Sequence, residues 1–289
     1  MKVLVVGAGG HLGAAVAAHF AARAEVTATT RAELDVCDHR AVESTIAQLC
    51  PGAVINCSAY TDVDRAEDEP VEALDVNAFA VRVLASAARK AGAAFVHYST
   101  DFVFDGTVDR PYTEDDQPNP RSTYACSKLI GEWFAREGGR HYVLRVESVF
   151  GSSAPAGSRR RTSVDRIVDA ILEGREVPVF VDRTVSPSFR DDVALATQIL
   201  LDGQARPGLY HCVNSGSCTW EELAREVGRQ LGIEPRLKRV RLAEARLRAH
   251  RPQYCALSNA RLAAAGVVMP GWQDAIGRYL AARRLASHS

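Results

Sequence analysis

Ser99-Thr100-Asp101-Phe102-Val103-Phe104 follows the apolar run Phe95 to Tyr98, and Tyr124-Ala125-Cys126-Ser127-Lys128 comes soon after it. The first stretch reads as the mouth of a buried strand opening into a loop, the second as the first turns of a helix. Tyr124 and Lys128 stand four residues apart, so they share a helix face. With that helix beside the strand end, a hydroxyl, a phenol and an ammonium converge, which is a proton-donating site for a carbonyl. A free tyrosine, with a pKa of ~10, is a poor acid or base near neutrality. A close positive charge favours its ionised form by roughly 1–3 units. Lys128 would supply that charge and also donate to a nicotinamide ribose. Thr100 would hold the substrate oxygen, and Tyr124 would protonate the developing alkoxide. Asn77, on a helix upstream, would anchor a water near Lys128 and relay the proton. By itself Tyr-x-x-x-Lys is a weak sign and more often an exposed helix pair. Its weight here comes from the order glycine loop, Asn77, Thr100, Tyr124, Lys128.

Hydride chemistry also needs a nucleotide. Gly7-Ala8-Gly9-Gly10-His11-Leu12-Gly13 follows the first apolar run. Glycines there permit unusual backbone angles, let a pyrophosphate approach and aim helix N–H groups at it. The pattern is G-x-x-G-x-x-G, not the strict dinucleotide fingerprint, because position 12 is Leu. A tight turn without a ligand is the competing reading, and the position directly after the first strand favours the nucleotide. At the end of the second strand stand Thr29-Thr30-Arg31, with no acid. Arg31 reads as a partner for a 2′-phosphate or as a solvated surface arginine, so NADPH is preferred, with NADH as the alternative. Asp35 would meet the adenine amino group or cap a turn. His11, Gly13, Val36 and Tyr60 are read with these neighbours as cofactor contacts.

The elements that position these residues follow from periodicity. Apolar runs at 2–6, 25–29, 53–56, 94–98 and 141–146 alternate with helical stretches at 14–22, 40–49 and 72–90. That is the pattern of an α/β protein with a Rossmann-type, doubly wound parallel sheet. Beyond Gly151 the texture becomes loop-like. Helices are expected at 163–173, 190–201, 220–231, 242–247, 259–265 and 273–280, and strands at 177–181 and 208–213. We read residues 1–150 as the dinucleotide-binding domain, with 184–214 returning to it. Residues 151–183 and 215–289 form a smaller, interleaved substrate-binding region. The formal net charge is zero and the chain is 47% apolar, so neither a nucleic-acid nor a membrane partner is expected. Seven scattered cysteines without a C-x-x-C pair read as reduced thiols of a cytoplasmic protein, with no metal site. A homo-oligomer is compatible with all of this.

The glycine loop, Asn77, Thr100 and Tyr124-x-x-x-Lys128 resemble an extended short-chain dehydrogenase/reductase. The nearer resemblance is to the dTDP-4-dehydrorhamnose reductases, through Val54 to Glu67, His97 to Gly106, Arg251-Pro252, Leu257-Ser258 and Pro270-Gly271-Trp272. It implies a catalytic Thr100, Tyr124 and Lys128, and a cofactor site lined by Gly7, Gly10, Leu12, Asp35, Ser58 and Ala59. It also implies NAD(P)H-dependent reduction of the 4-keto group of a dTDP-linked 6-deoxy sugar, with Val63 in the substrate pocket. Phe102 stands where that family usually has tyrosine and Ser148 where it has tryptophan, so the sugar pocket is altered. The alternatives are a regulatory nucleotide-binding subunit of the methionine adenosyltransferase beta type, or a reductase or epimerase of another nucleotide sugar. Arg159, Arg160 and Arg161 would bind a diphosphate or form a solvated loop. Arg190 would face the substrate cleft or pair with Asp191 or Asp192. Asp64 and Glu67 are expected to cap a helix, and Trp220, Trp272, His211 and Cys212 to pack.

Overall fold

The computed structural model describes residues 1–151, 161–203 and 205–286. The chain runs β1 (Lys2–Val6), α1 (His11–Ala21), β2 (Glu25–Thr29), α2 (His39–Leu49) and β3 (Ala53–Asn56). It continues through α3 (Pro70–Leu74), a π-helical turn at Asp75–Phe79, α4 (Ala80–Lys90), β4 (Ala94–Thr100), α5 (Thr123–Ala135), β5 (His141–Val146) and β6 (Val149–Phe150). Then come α6 (Ser163–Leu172), β7 (Val177–Phe180), β8 (Thr184–Val185), β9 (Ser188–Phe189), α7 (Arg190–Asp202) and β10 (Gly208–His211). The last elements are β11 (Cys218–Thr219), α8 (Trp220–Leu231), β12 (Leu237–Val240), α9 (Ala260–Ala264) and α10 (Trp272–Ala286).

Six parallel strands form the central sheet in the order β10-β5-β4-β3-β1-β2. Its strands are apolar on both faces because helices cover both. In β1, Val3 and Val5 enter the core shared with Val16 of α1 and Val193 and Leu200 of α7. Leu4 and Val6 enter the opposite core, with Val42 of α2 and Leu84 of α4. The period of two along a strand makes that division. The strand order reverses between β1 and β3, so the crevice beyond their carboxyl ends is where such a sheet receives ligands. A separate core gathers Phe150, Val168, Val179, Trp220, Val227, Trp272 and Tyr279, with the small pairings β6·β9, β7·β12 and β8·β11. Trp220 and Trp272 are both packed into that core, while His211 and Cys212 are buried at the end of β10.

Three expectations are revised. The helix expected over 72–90 is interrupted by the π-helical turn, which carries Asn77; an extra residue per turn widens the helix there, a feature frequent at functional sites. Residues 242–247 make only one 3₁₀ turn, Leu242–Glu244. The strand of the opening motif extends through Ser99 and Thr100 and ends at the Thr100 hydroxyl. The two-residue strands β6, β8, β9 and β11 are too short to leave a period in the sequence.

Candidate active site

The glycine loop is built so that backbone meets backbone. Gly7 has φ +80°, and a Cβ there would lie 2.6 Å from the Ser58 nitrogen. A Cβ on Gly13 would lie 2.3 Å from the Gly7 carbonyl oxygen. These two positions admit only glycine, and they press the start of α1 against the ends of β1 and β3. Gly10 is the N-cap residue of α1 and no side chain caps this helix, whereas Asp38 caps α2 and Ser122 caps α5. The uncapped start of α1, with His11 and Leu12 half-buried at its mouth, suits the pyrophosphate of a dinucleotide. Ser58 donates from N and Oγ to Asn56 Oδ1 at 3.0 and 2.6 Å, which holds Ser58 and Ala59 in a turn at the crevice. Tyr60 follows, its hydroxyl donating to Glu69 at 2.7 Å.

At the far end of β2, Arg31 is 86% exposed and touches Asp35 at 3.4 Å. Asp35 also accepts from the Cys37 nitrogen at 3.0 Å, which caps that turn. Val36 does not face the crevice: its side chain belongs to the core under α2. Nor is the β2 end free of acid. Glu33 folds back and accepts from both the nitrogen and the hydroxyl of Thr30 at 2.8 Å, and these bonds hold its carboxyl below the usual range. The sequence places Glu33 four residues past the strand, and only the turn returns it.

At the end of β4 the structure brings Thr100 and Tyr124 together. The phenol faces the Thr100 hydroxyl, and burial pushes its pKa up to about 12 against the opposing pull of Thr100. The expected lowering by Lys128 is absent. Lys128 is 2% exposed, and its ammonium donates to the Tyr98 carbonyl at 2.5 Å and lies 3.5 Å from His97 Nε2. Desolvation lowers it to about 8, with Glu132 opposing. The i,i+4 spacing puts both residues on the face of α5 toward β4, but the long lysine stem reaches the strand backbone, not the phenol. Asn77 is also differently engaged. Its Oδ1 accepts from the Tyr60 nitrogen at 2.9 Å, and its Nδ2 donates to the Tyr60 carbonyl and Ser127 Oγ, each at 3.0 Å. It ties the loop after β3 to α5. A second tie comes from Glu67, which accepts from the Thr123 nitrogen at the start of α5 at 2.7 Å. The expected Glu67 cap therefore serves a distant helix. Asp62, not Asp64, accepts from Arg65 at the start of its own 3₁₀ turn.

On the substrate side, Phe102 stands edge-on to Tyr124 at 5.9 Å between ring centres. The guanidinium groups of Arg183 and Arg251 lie 5.3 and 5.8 Å from its centroid. Arg251 pairs with Asp64 at 2.9 Å, and the Ala249 nitrogen donates to the same carboxylate at 2.9 Å, so the tail is fastened beside the turn that carries Val63. Ser148 has φ +44°, a left-handed conformation costly for a non-glycine residue. Behind Thr100 sit Asp101, Glu147 and Cys255, all buried, with ligand-type atoms within 4.8 Å of one another. Arg183 lies against this group, its Nη2 3.7 Å from Cys255 Sγ. Arg183, Arg251 and Glu147 had no place in the sequence-based site. For Arg183 and Glu147 the one signal was a charge beside apolar residues, and Arg251 stands in a basic stretch; neither pattern says what the charge meets. Arg190 opens α7 and pairs with Asp191 at 3.4 Å, while Asp192 is taken by Arg278. Arg161 pairs with Asp169 at 2.5 Å; Arg159 and Arg160 lie outside the described residues.

Comparison with known proteins agrees with this geometry. The family model described as RmlD substrate binding domain matches residues 1–285. A dTDP-4-dehydrorhamnose reductase of Streptomyces griseus is 38% identical over 272 residues, covering 91% of this chain and 88% of that protein. The crystal structure of a dTDP-4-dehydrorhamnose reductase from Clostridium acetobutylicum superposes with a TM-score of 0.91 at 30% identity, covering 98% of this chain and 100% of that one. One from Bacillus anthracis, solved in complex with NADP, superposes with a TM-score of 0.89 at 28% identity, covering 96% and 98%. The chain belongs to the RmlD substrate binding domain family, that of the dTDP-4-dehydrorhamnose reductases.

Proposed function

We propose that this protein reduces the 4-keto group of dTDP-4-dehydrorhamnose to give dTDP-rhamnose, with NADPH as reductant. The observation that carries the reading is the contact between Thr100 and Tyr124 at the end of β4, beside a crevice whose glycines leave room for backbone alone. The cofactor would supply the hydride. Gly7, Gly10, His11, Leu12 and Gly13 would hold its pyrophosphate, Ser58, Ala59 and Tyr60 its nicotinamide side, and Arg31 and Asp35 its adenosine end. The bound NADP of the Bacillus anthracis relative supports this choice, as does the exposed guanidinium of Arg31 beside two threonines.

In this reading Thr100 donates to the carbonyl oxygen and polarises it. Tyr124, kept neutral by burial, gives its proton as the alkoxide develops. Lys128 holds a positive charge below about pH 8 and, held at the Tyr98 carbonyl, would offer that ammonium to the ribose of the cofactor. Asn77 keeps α5 in register with the loop after β3 and is a positioning residue. Phe102, Ser148, Val63 and Arg190 border the sugar, with Arg183 and Arg251 stacked on Phe102. All seven cysteines are free thiols, which fits a reducing, cytoplasmic setting. No helix among the described residues is long and apolar enough to cross a membrane.

The test is NADPH oxidation with a panel of dTDP-, GDP- and UDP-linked 4-keto sugars. Turnover with dTDP-4-dehydrorhamnose, slower with the other nucleotides, is expected. Silence across the panel with clean nucleotide binding would overturn the reading in favour of a binding subunit.

A further inference from the structure

His97 is a buried histidine that the chemistry above leaves unused. It is 0% exposed, Asn56 beside it 1% and Lys128 2%, so all three are shut from bulk water. Ser58 donates to Asn56 Oδ1 from its backbone nitrogen at 3.0 Å and from Oγ at 2.6 Å. A backbone N–H can only donate, so that end of the amide is its oxygen and the other end is the NH2 group. The NH2 faces His97 Nδ1 at 3.2 Å. Burial and the charge of Lys128 hold His97 well below the ordinary imidazole range, so the ring is neutral and carries one proton. With Nδ1 accepting from Asn56, that proton is on Nε2. Nε2 lies 3.5 Å from Lys128 Nζ, and α5 closes this edge of the ring: a Cβ on Gly131 would lie 3.3 Å from Nε2.

An ammonium has three donors and no lone pair, so the Nε2 proton and the charged lysine repel. The uncharged amine has a lone pair and accepts from Nε2–H while still donating to the Tyr98 carbonyl. The other ring tautomer would suit the ammonium, but it would set Nδ1–H against the Asn56 NH2. Turning the amide over would set that NH2 against the Ser58 N–H. Each arrangement leaves a buried donor unpaired. We propose that Asn56 fixes His97 in the Nε2–H tautomer, and that this ring proton favours the uncharged amine of Lys128 over the ammonium. Asn56 and His97 are then positioning residues that act through Lys128 on the cofactor ribose, which rests on the reductase reading above. The charged and titratable groups facing Lys128 are His97 on β4, Glu132 on α5 and Cys57 after β3, and Glu132 is held by Arg145 of β5. Lys128 titrates at about 8. As pH rises through that value the ammonium is lost and the hold on NADPH weakens.

The test is nuclear magnetic resonance of the unliganded full chain, joined to a cofactor titration. With nitrogen-labelled histidine rings, His97, assigned by its absence from His97→Phe, should show Nε2–H alone both below and above the pH at which Lys128 titrates. With carbon-labelled lysine Cε, Lys128 titrates apart from the exposed Lys2, Lys90 and Lys238. His97→Phe keeps a ring and removes the opposed proton. Were burial alone at work, Lys128 would titrate there at the same pH or lower. Loss of the opposed proton instead moves the titration up by about one unit, the tenfold change in proton affinity that one hydrogen bond is worth. The alkaline fall in NADPH affinity, read by fluorescence, should move with it. In Asn56→Asp the carboxylate accepts from both Ser58 and His97 Nδ1–H, so the ring tautomer should swap. An Nδ1–H or doubly protonated His97 in wild type, or an unswapped ring in Asn56→Asp, would overturn the proposal. So would an unchanged or lower Lys128 titration in His97→Phe, or an NADPH affinity that does not follow Lys128. Should one variant fail to fold, the wild-type tautomer and the other variant decide. If the wild type reduces no nucleotide sugar, the reductase reading fails, and the two titrations of the unliganded protein still decide the tautomer and its effect on Lys128.

Discussion

Replacing Tyr124 by phenylalanine removes one oxygen and leaves the ring. The ring stands edge-on to Phe102 at 5.9 Å, a contact that does not need the hydroxyl. One neutral hydrogen bond lost with that oxygen would cost about 0.5–1.5 kcal/mol net of stability. A general acid contributes about 10²–10⁴ in rate, which is about 2.7–5.4 kcal/mol of barrier. The catalytic effect therefore exceeds the structural one, and kcat should drop by two to four orders of magnitude while the fold and the cofactor affinity persist. Burial holds the phenol at about 12, so the acid of the wild type stays protonated through the ordinary assay range. The ratio of wild-type to variant kcat should then be the same at mildly acidic and mildly alkaline pH. The assay is steady-state cofactor oxidation with the 4-keto sugar nucleotide, resolving kcat and KM, together with a fluorescence titration of cofactor binding. Turnover above about a tenth of wild type, or a loss that tracks weakened cofactor binding, refutes Tyr124 as the proton donor.

Arg31→Ala should weaken NADPH by about tenfold, the value of one charge-assisted bond partly screened by solvent, and leave NADH nearly unchanged; equal losses for both in binding titrations would remove Arg31 from the 2′-phosphate. Arg145 and Glu132 form a buried pair at 2.8 Å, 1% and 0% exposed, so Arg145→Met strands a buried charge and should cost about 3–5 kcal/mol in urea denaturation, largely restored by adding Glu132→Leu. Lys128 titrates near 8 when folded, below its ordinary 10.5. Above about 8 the unfolded chain binds more protons than the native one, so stability should rise with pH between those values. Melting temperatures of wild type and Lys128→Met across that window should converge from low to high pH, and parallel curves would contradict the assignment.

Much of the site was legible because it depends on local geometry. The glycine loop needs positions without side chains, and Gly7 and Gly13 are where a Cβ would strike backbone. Thr100, Tyr124 and Lys128 were legible because a strand end and an i,i+4 spacing are properties of neighbouring residues. Partner choice was not. Lys128 could satisfy its charge at the phenol or at the strand backbone, and only the packing of α5 on β4 selects the Tyr98 carbonyl. In the sequence Asn77 reads as anchoring a water near Lys128; it lies in the π-helical turn, and its amide closes on Tyr60 and Ser127.

The sequence by itself determined the alternation of buried strands and amphipathic helices, the place of the glycine turn and the shared helix face of Tyr124 and Lys128. Each of these is fixed by periodicity or by bonds within a few residues. Only the tertiary structure decided what surrounds that chemistry. Glu147 leaves the end of β5, Arg183 precedes β8 and Arg251 lies in the tail, and they meet Asp101 and Phe102 only because the sheet and the second core are folded together. The physical reason is range. Backbone conformation answers to nearest neighbours, whereas burial and the electrostatics of a buried charge answer to whatever the fold brings within a few ångströms.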